Sequence, residues 1–252
     1  MNDHFITTEY GYRLAITEII HPDAPITAII LHGFQSDRKS GNSSIARDAL
    51  VPLNLNIVTL DFYGRGESDG TFGNLTVDKG VENVEAVVNF IHQRDPQQKI
   101  ILIGGSFGGL VALHSVAILK DVFAQLILRA PVSDWGALWR DWVKPENLQT
   151  WTATGSFTGE ISPGVMATFG PEFLAELQHD DLYDTIAPQI TIPTLIVHGD
   201  QDETVPLAHS EKLQSVLPDS QLFVLPGADH RFSRAEDIAA YQRAIQNFIQ
   251  SF

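Results

Sequence analysis

The chain has 252 residues, 44% of them hydrophobic and 19% charged, with 31 acidic against 16 basic side chains and a formal net charge of −15. That balance repels nucleic acid and anionic lipid, so neither is an expected partner, and a strongly anionic substrate would need a local basic pocket. No cysteine is present, which removes disulfides and thiolate metal sites. No apolar run approaches the roughly 18–20 residues of a membrane span. Met1-Asn2-Asp3-His4 lacks the basic and apolar regions of a secretory signal, so a cytoplasmic protein is expected.

In chain order, apolar runs at 13–20 and 27–31 read as strands, the second ending in His32-Gly33-Phe34. A third strand at 56–60 runs into Asp61-Phe62-Tyr63-Gly64, and Val81, Val84, Val87, Val88 and Ile91 give 77–91 a helical period. A strand at 100–103 then meets Gly104-Gly105-Ser106-Phe107-Gly108-Gly109, followed by a helical pattern and a strand at 125–128. Two more strands, 194–197 and 222–225, are each followed by a helix, at 207–216 and 238–248. Strands alternating with helices predict an α/β fold: a mostly parallel, doubly wound sheet in a single domain, 1–252. The stretch 131–190 breaks the rhythm, carries all four tryptophans and includes a glycine- and proline-punctuated segment at 155–171. It predicts a mainly helical cap inserted over the carboxyl edge of the sheet.

A glycine-flanked serine between a β-branched strand and a helix is the sequence form of a nucleophile elbow. Gly104 and Gly108 remove side chains that would collide on so sharp a turn, and the helix directs its positive end toward developing negative charge. A serine hydroxyl needs a base, and that base needs an oriented carboxylate. His230, in Gly227-Ala228-Asp229-His230 after the last strand, is the candidate base. Asp202 and Asp200, in His198-Gly199-Asp200-Gln201-Asp202, are both candidate acids; Asp202 is favoured, since Asp200 would serve equally well as a turn-maker, and Asp134 is an alternative acid one strand earlier. Backbone N–H groups of Phe34 and Phe107 are the candidate oxyanion hole, while His32 and His198, at strand ends, read as structural. Trp135, Trp139 and Trp142, at i, i+4 and i+7, form one helical face and line a candidate acyl pocket or pack the cap onto the body.

Other chemistries fit less well. Gly64-Arg65-Gly66 lacks the third glycine of a dinucleotide loop, no Lys-Ser/Thr pair follows the elbow glycines as a P-loop requires, and Arg65 with Glu67 reads as a solvated loop pair. His179-Asp180-Asp181 holds ligand types without a metal-binding spacing, so neither metal nor cofactor is expected.

The order Ser106, Asp202, His230 is that of the α/β-hydrolase fold. The chain resembles that superfamily over nearly its whole length outside the insertion. Leu60-Asp61-Phe62-Tyr63-Gly64-Arg65-Gly66-Glu67-Ser68-Asp69-Gly70, His32-Gly33-Phe34 and the Asp202 and His230 segments are similar to those of bacterial cinnamoyl/feruloyl esterases and related lysophospholipase-like esterases. The resemblance implies a cofactor-independent serine carboxylesterase acting on small to medium acyl or aryl esters, with Ser106, His230 and Asp202 as nucleophile, base and acid. The same machinery serves a serine peptidase or acyl-thioesterase, and a non-catalytic binding protein on this fold is the reading from another class. Gly105 before the serine, where these esterases usually place histidine, Phe107 after it, and an insertion unlike the phenolic-acyl cap are departures, so the acyl specificity does not follow.

Overall fold

A computed structural model describes residues 1–162, 164–178 and 182–251; the His179-Asp180-Asp181 run lies outside the described residues. The strands are β1(Asn2–Thr7), β2(Arg13–Ile19), β3(Ile26–Leu31), β4(Asn56–Leu60), β5(Lys99–Gly105), β6(Phe123–Arg129), and, after the cap, β9(Thr194–Gly199) and β10(Ser220–Leu225). They form one sheet in the order β1-β2-β4-β3-β5-β6-β9-β10. From β4 to β10 all neighbours are parallel, while β1 and β2 join antiparallel at one edge. The sheet therefore delivers the ends of β3, β5, β6, β9 and β10 to one edge, where open parallel sheets build their sites.

Alternation along the strands splits the interior in two. Ile29, Leu31, Ile100 and Leu102 point to one core, and their neighbours Ala28, Ile30, Ile101 and Ile103 to the other. The first core is closed by α2(Val77–Arg94), α3(Phe107–Ile118) and α7(Ala208–Val216), the second by α1(Gly41–Leu50) and α8(Ala235–Gln250). The α2 pattern is a buried stripe, Val77, Val81, Val84, Val88 and Ile91, opened by Thr76, whose hydroxyl accepts from the Lys79 N–H at 3.1 Å. Gly80 lets α3 approach: a Cβ there would stand 2.6 Å from Val111 Cγ2. In α3 the run from Phe107 to Leu113 is buried all round, as befits a helix covered on every side.

Between β6 and β9 the chain leaves the sheet. It forms α4(Trp135–Trp142), α5(Pro145–Thr154), the antiparallel pair β7(Phe157–Ser162) and β8(Val165–Phe169), and α6(Pro171–Leu177). Helices dominate it, but the glycine- and proline-punctuated segment contains the strand pair β7–β8, which the sequence reading did not anticipate. Its alternation is masked because only Ala167 and Phe169 of β8 are buried. Trp139, Trp151, Phe169 and Phe173 make a separate aromatic core, with ring centroids as close as 4.7 Å and mostly tilted or edge-on. Each such pair contributes about 0.5–1.5 kcal/mol beyond its buried area. The Trp151 indole N–H donates to Gly170 O at 3.2 Å.

Two further elements were not predicted. In β1 only Ile6 is buried, so backbone pairing with β2 holds an edge strand that has no hydrophobic signal. In α1 the packing side is mostly alanine, Ala46 and Ala49 beside Leu50. Arg65 and Glu67 are not a pair: Arg65 lies over the Phe72 ring at 4.7 Å and donates from Nε to Ser36 O at 3.1 Å. Glu67 instead accepts from Arg38, whose buried guanidinium also meets the fully buried Asp61. Asp61 accepts the N–H groups of Arg38 and Glu67 at 2.6 and 2.9 Å as well, tying the loop after β3 to the loop after β4. A buried pair so fully hydrogen-bonded fixes geometry more than it adds net stability.

Glu176 of α6 links the cap to the body. Its Oε2 accepts the Val77 N–H at 2.7 Å, at the first turn of α2, and the carboxyl is largely buried beneath the cap. Burial pushes this carboxyl up from 4.5 to about 8, against the Val77 hydrogen bond. The folded chain thus holds a proton that the unfolded chain has released, and the Glu176 contribution to stability declines as pH rises from 4.5 to about 8. Glu176→Gln is expected to gain stability relative to the parent as pH rises across this window. Thermal melts of both proteins at the two ends of the window measure it, and a pH-independent difference refutes it.

Candidate active site

β5 ends in Gly104-Gly105 and α3 starts at Phe107, leaving Ser106 to make the turn with φ 55° and ψ −120°. That conformation costs a non-glycine residue about 1–3 kcal/mol. The turn is held from both sides. Ser106 N–H donates to Arg129 O at 2.9 Å, and Ser106 O accepts from Gly109 and Val132 N–H at 2.9 and 3.2 Å. Three bonds at about 0.5–1.5 kcal/mol each are enough to offset the strain. The flanking glycines are sterically required: a Cβ on Gly104 would lie 2.3 Å from Gly108 O, and one on Gly108 would lie 2.5 Å from His32 O.

Asp202 follows β9 with its side chain fully buried. Oδ1 accepts the Thr204 and Val205 N–H groups at 2.9 and 2.8 Å, and Oδ2 receives His230 Nδ1 at 2.7 Å. The bond to Oδ2 requires the proton on His230 Nδ1, which leaves Nε2 as the ring's acceptor. Burial disfavours the charge on Asp202. Hydrogen bonds from His198, His230 and the Val205 backbone outweigh it and hold the carboxyl well below its ordinary range.

His198, read from the sequence as structural, is the second imidazole on this carboxylate. The ring is fully buried, with Nε2 3.2 Å from Asp202 Oδ2 and 2.9 Å from Val205 O. Both are acceptors, so Nε2 carries the proton, and Nδ1 takes the Ser210 hydroxyl proton at 2.6 Å. The spacing His198 to Asp202 was the available signal, since a strand-end residue and an acid four positions later share one tight loop. His32 is fixed otherwise: Nε2 accepts the Phe62 N–H at 3.0 Å, so Nδ1 donates to Gly33 O at 2.7 Å.

Arg129 is the other residue that sequence reasoning missed. It is buried at the end of β6, lies over the Phe232 ring at 4.4 Å, and donates from Nη2 to His230 O. Its own carbonyl receives Ser106 N–H, so this one residue contacts both the elbow and the His230 loop.

Ser106 and His230 line one cavity of about 770 Å³, together with Gly33, Phe34 and Phe107. Gly33 packs close to the serine, where a Cβ would stand 3.5 Å from Ser106 Cβ. Among the described residues, neither the Phe34 nor the Phe107 N–H has a hydrogen-bond acceptor. Trp135, Trp139 and Trp142 also line the cavity. The first two pack edge-on against Phe34 at 5.2 and 5.9 Å, and Trp142 is 43% exposed. Trp139 belongs to the aromatic core of the cap as well, so packing face and cavity wall coincide in it.

The alternative acids are occupied elsewhere. Asp134 caps α4 by accepting the Ala137 N–H at 2.7 Å, and Asp200, rather than closing a local turn, ties the loop after β9 to the loop after β10 by accepting the Gly227 N–H at 2.7 Å. Among the described residues no group of three or more His, Asp or Glu side chains is placed to hold a metal, and no helix is long and apolar enough to cross a membrane. A hydroxyl on a strained turn, an imidazole backed by a buried carboxylate, and two unpaired amides on one cavity are the parts that acyl transfer uses.

The model of the alpha/beta hydrolase family matches residues 28–241. Among curated relatives, mouse mitochondrial palmitoyl-protein thioesterase ABHD10 is 26% identical over 219 residues, 83% of this chain and 70% of its own length. The AB hydrolase superfamily protein YisY of Bacillus subtilis is 24% identical over 255 residues, 90% of this chain and 92% of its own. Among solved structures, Est1E from Butyrivibrio proteoclasticus with bound ferulic acid superposes with a TM-score of 0.84 at 24% identity, covering 98% of each chain. Mouse alpha/beta hydrolase domain-containing protein 10 superposes at 0.82 and 22% identity, over 100% of this chain and 98% of that one. With its sheet order, its strained serine turn and a family match over most of its length, the chain belongs to the alpha/beta hydrolase family and is a hydrolase.

Proposed function

We propose that the protein is a serine carboxylesterase that works through Ser106, His230 and Asp202 and an acyl-enzyme. The observation that carries this is the convergence of Ser106 and His230 on one cavity, with Asp202 bound to the far side of the imidazole at 2.7 Å. His230 Nε2 takes the proton as Ser106 Oγ bonds to the acyl carbon, and Asp202 stabilises the imidazolium without accepting the proton. The Phe34 and Phe107 N–H groups hold the oxyanion of the tetrahedral intermediate. As the intermediate collapses, the bond to the leaving oxygen breaks and His230 passes its proton to that oxygen. Water, deprotonated by the same imidazole, then attacks the acyl carbon, releases the acid and restores Ser106.

A cavity of about 770 Å³ suits a small to medium acyl or aryl ester. Phe34, Val132, Trp135 and Leu138 supply an apolar wall for the acyl group. An acyl-thioester is the second reading, favoured by the thioesterase name of the mouse relative. The steps are the same with sulfur as the leaving atom.

Ser106→Ala is expected to lower p-nitrophenyl ester hydrolysis by about 10⁴-fold or more while the thermal melt is retained. Loss of fluorophosphonate labelling tests the same residue, and substantial residual turnover overturns the assignment. A second expectation follows from Asp202 holding its charge to well below the ordinary carboxylate range. Its contribution to stability is complete above the ordinary carboxylate range, about pH 4, and is lost as pH falls toward the folded value. Asp202→Asn is therefore less stable than the parent at neutral pH, with the gap narrowing as pH is lowered below about 5. Urea unfolding across that range measures it, and a constant gap overturns the account.

A further inference from the structure

The cavity has two walls, and they belong to opposite faces of the sheet. Phe34, Phe107, Val132, Trp135 and Leu138 are continuous with the core under α2 and α3. Ile45 of α1 and Phe232 are continuous with the core under α1 and α8, and Ile238 of α8 stands beside them. Ser106, at the end of the central strand β5, lies where the two arms meet.

The arms differ in chemistry. The first is almost wholly aromatic and aliphatic. The second carries Ser36, Ser40, Ser233 and Arg231. Among the described residues no acidic side chain lines the cavity, and Arg231 is the one lysine or arginine that does. Among the described residues its guanidinium has no hydrogen-bond or ion-pair partner. Its backbone is pinned, because Arg231 N–H donates to Asp229 Oδ1 at 3.1 Å. The Asp229 carboxylate also receives Ser233 N–H at 2.9 Å and the Ser233 hydroxyl at 2.6 Å, so it is committed to this turn.

The proton's route decides what each arm holds. A base that takes the serine proton and returns it to the leaving atom must face the leaving group. His230 sits on the same short segment as Arg231 and Ser233, so the leaving group enters the α1–α8 arm and the acyl group lies against the tryptophans. We propose that the α1–α8 arm receives an alcohol leaving group bearing a carboxylate, which Arg231 binds. This rests on the reading of Ser106 and His230 as nucleophile and base. One carboxylate matches the planar fork of one guanidinium, whereas the −15 field of the chain disfavours multiply charged phosphates.

The test compares two aryl esters of one acyl group, 3-phenylpropanoate, whose leaving groups are 4-hydroxybenzoate and its neutral amide, 4-hydroxybenzamide. The readout is the ratio of their kcat/KM values, carboxylate over amide. In the parent the ratio is expected to exceed one and to fall with added salt. In Arg231→Gln it falls about fivefold, the upper range for a partly solvated ion pair, and Arg231→Lys restores part of it. A ratio that is the same in the parent and Arg231→Gln overturns the inference while leaving the esterase reading standing, provided that Ser106→Ala abolishes both activities. If neither ester is turned over, or both survive Ser106→Ala, the esterase reading and this inference fall together.

Discussion

The site depends on one backbone constraint, a serine held at positive φ where a sheet strand becomes a helix. Everything around Ser106 answers to it. The glycines at 104 and 108 are there because no larger residue fits, and the carbonyls and amides of Gly109, Arg129 and Val132 hold the turn in place. Positive φ recurs at Ala130 and Phe232, next to Arg129 and within the His230 loop. Strain of this kind persists only where surrounding contacts over-determine it. Here the parallel sheet supplies those contacts, because β3, β5, β6, β9 and β10 bring their ends to the same edge.

Electrostatics completes what the backbone begins. In a chain this acidic no acidic side chain among the described residues lines the cavity, and the carboxylate behind His230 is enclosed rather than displayed. Asp202 spends one oxygen on two backbone amides and the other on two imidazoles, so it stays ionised in a place where water cannot solvate it. The second of those imidazoles, His198, is locked by Ser210 into the tautomer that donates. The orienting of His230 thus reaches back through Asp202 to a serine on α7.

The sequence made the sheet and the serine turn legible because both leave a physical trace. Paired cores on the two faces produce strands of unbroken apolar residues such as Ile100-Ile101-Leu102-Ile103, and a turn without room for side chains demands glycine. Asp202 and His230 could be picked out as the polar residues at successive strand ends, and the fold brings them to 2.7 Å. Elements held by backbone pairing or small side chains left little trace: β1 with one buried residue, α1 with its alanines, and the β7–β8 hairpin inside the cap. Contacts between distant loops were invisible for a different reason. Nothing local marks Arg38 as the partner of Asp61 or Arg129 as the donor to the His230 carbonyl, since these depend on strand order.

Trp139 carries a consequence for how such a protein changes over time. It is at once a wall of the cavity and the hub of the cap's aromatic core, touching Phe34 on one side and Trp142, Phe169 and Phe173 on the other. Any replacement that reshapes the cavity there also loosens the cap over it, so selection for a new cavity shape and selection for a folded cap pull on the same side chain. Diversification of specificity is channelled to wall positions outside that hub, of which Leu138 and the half-exposed Trp142 are the nearest.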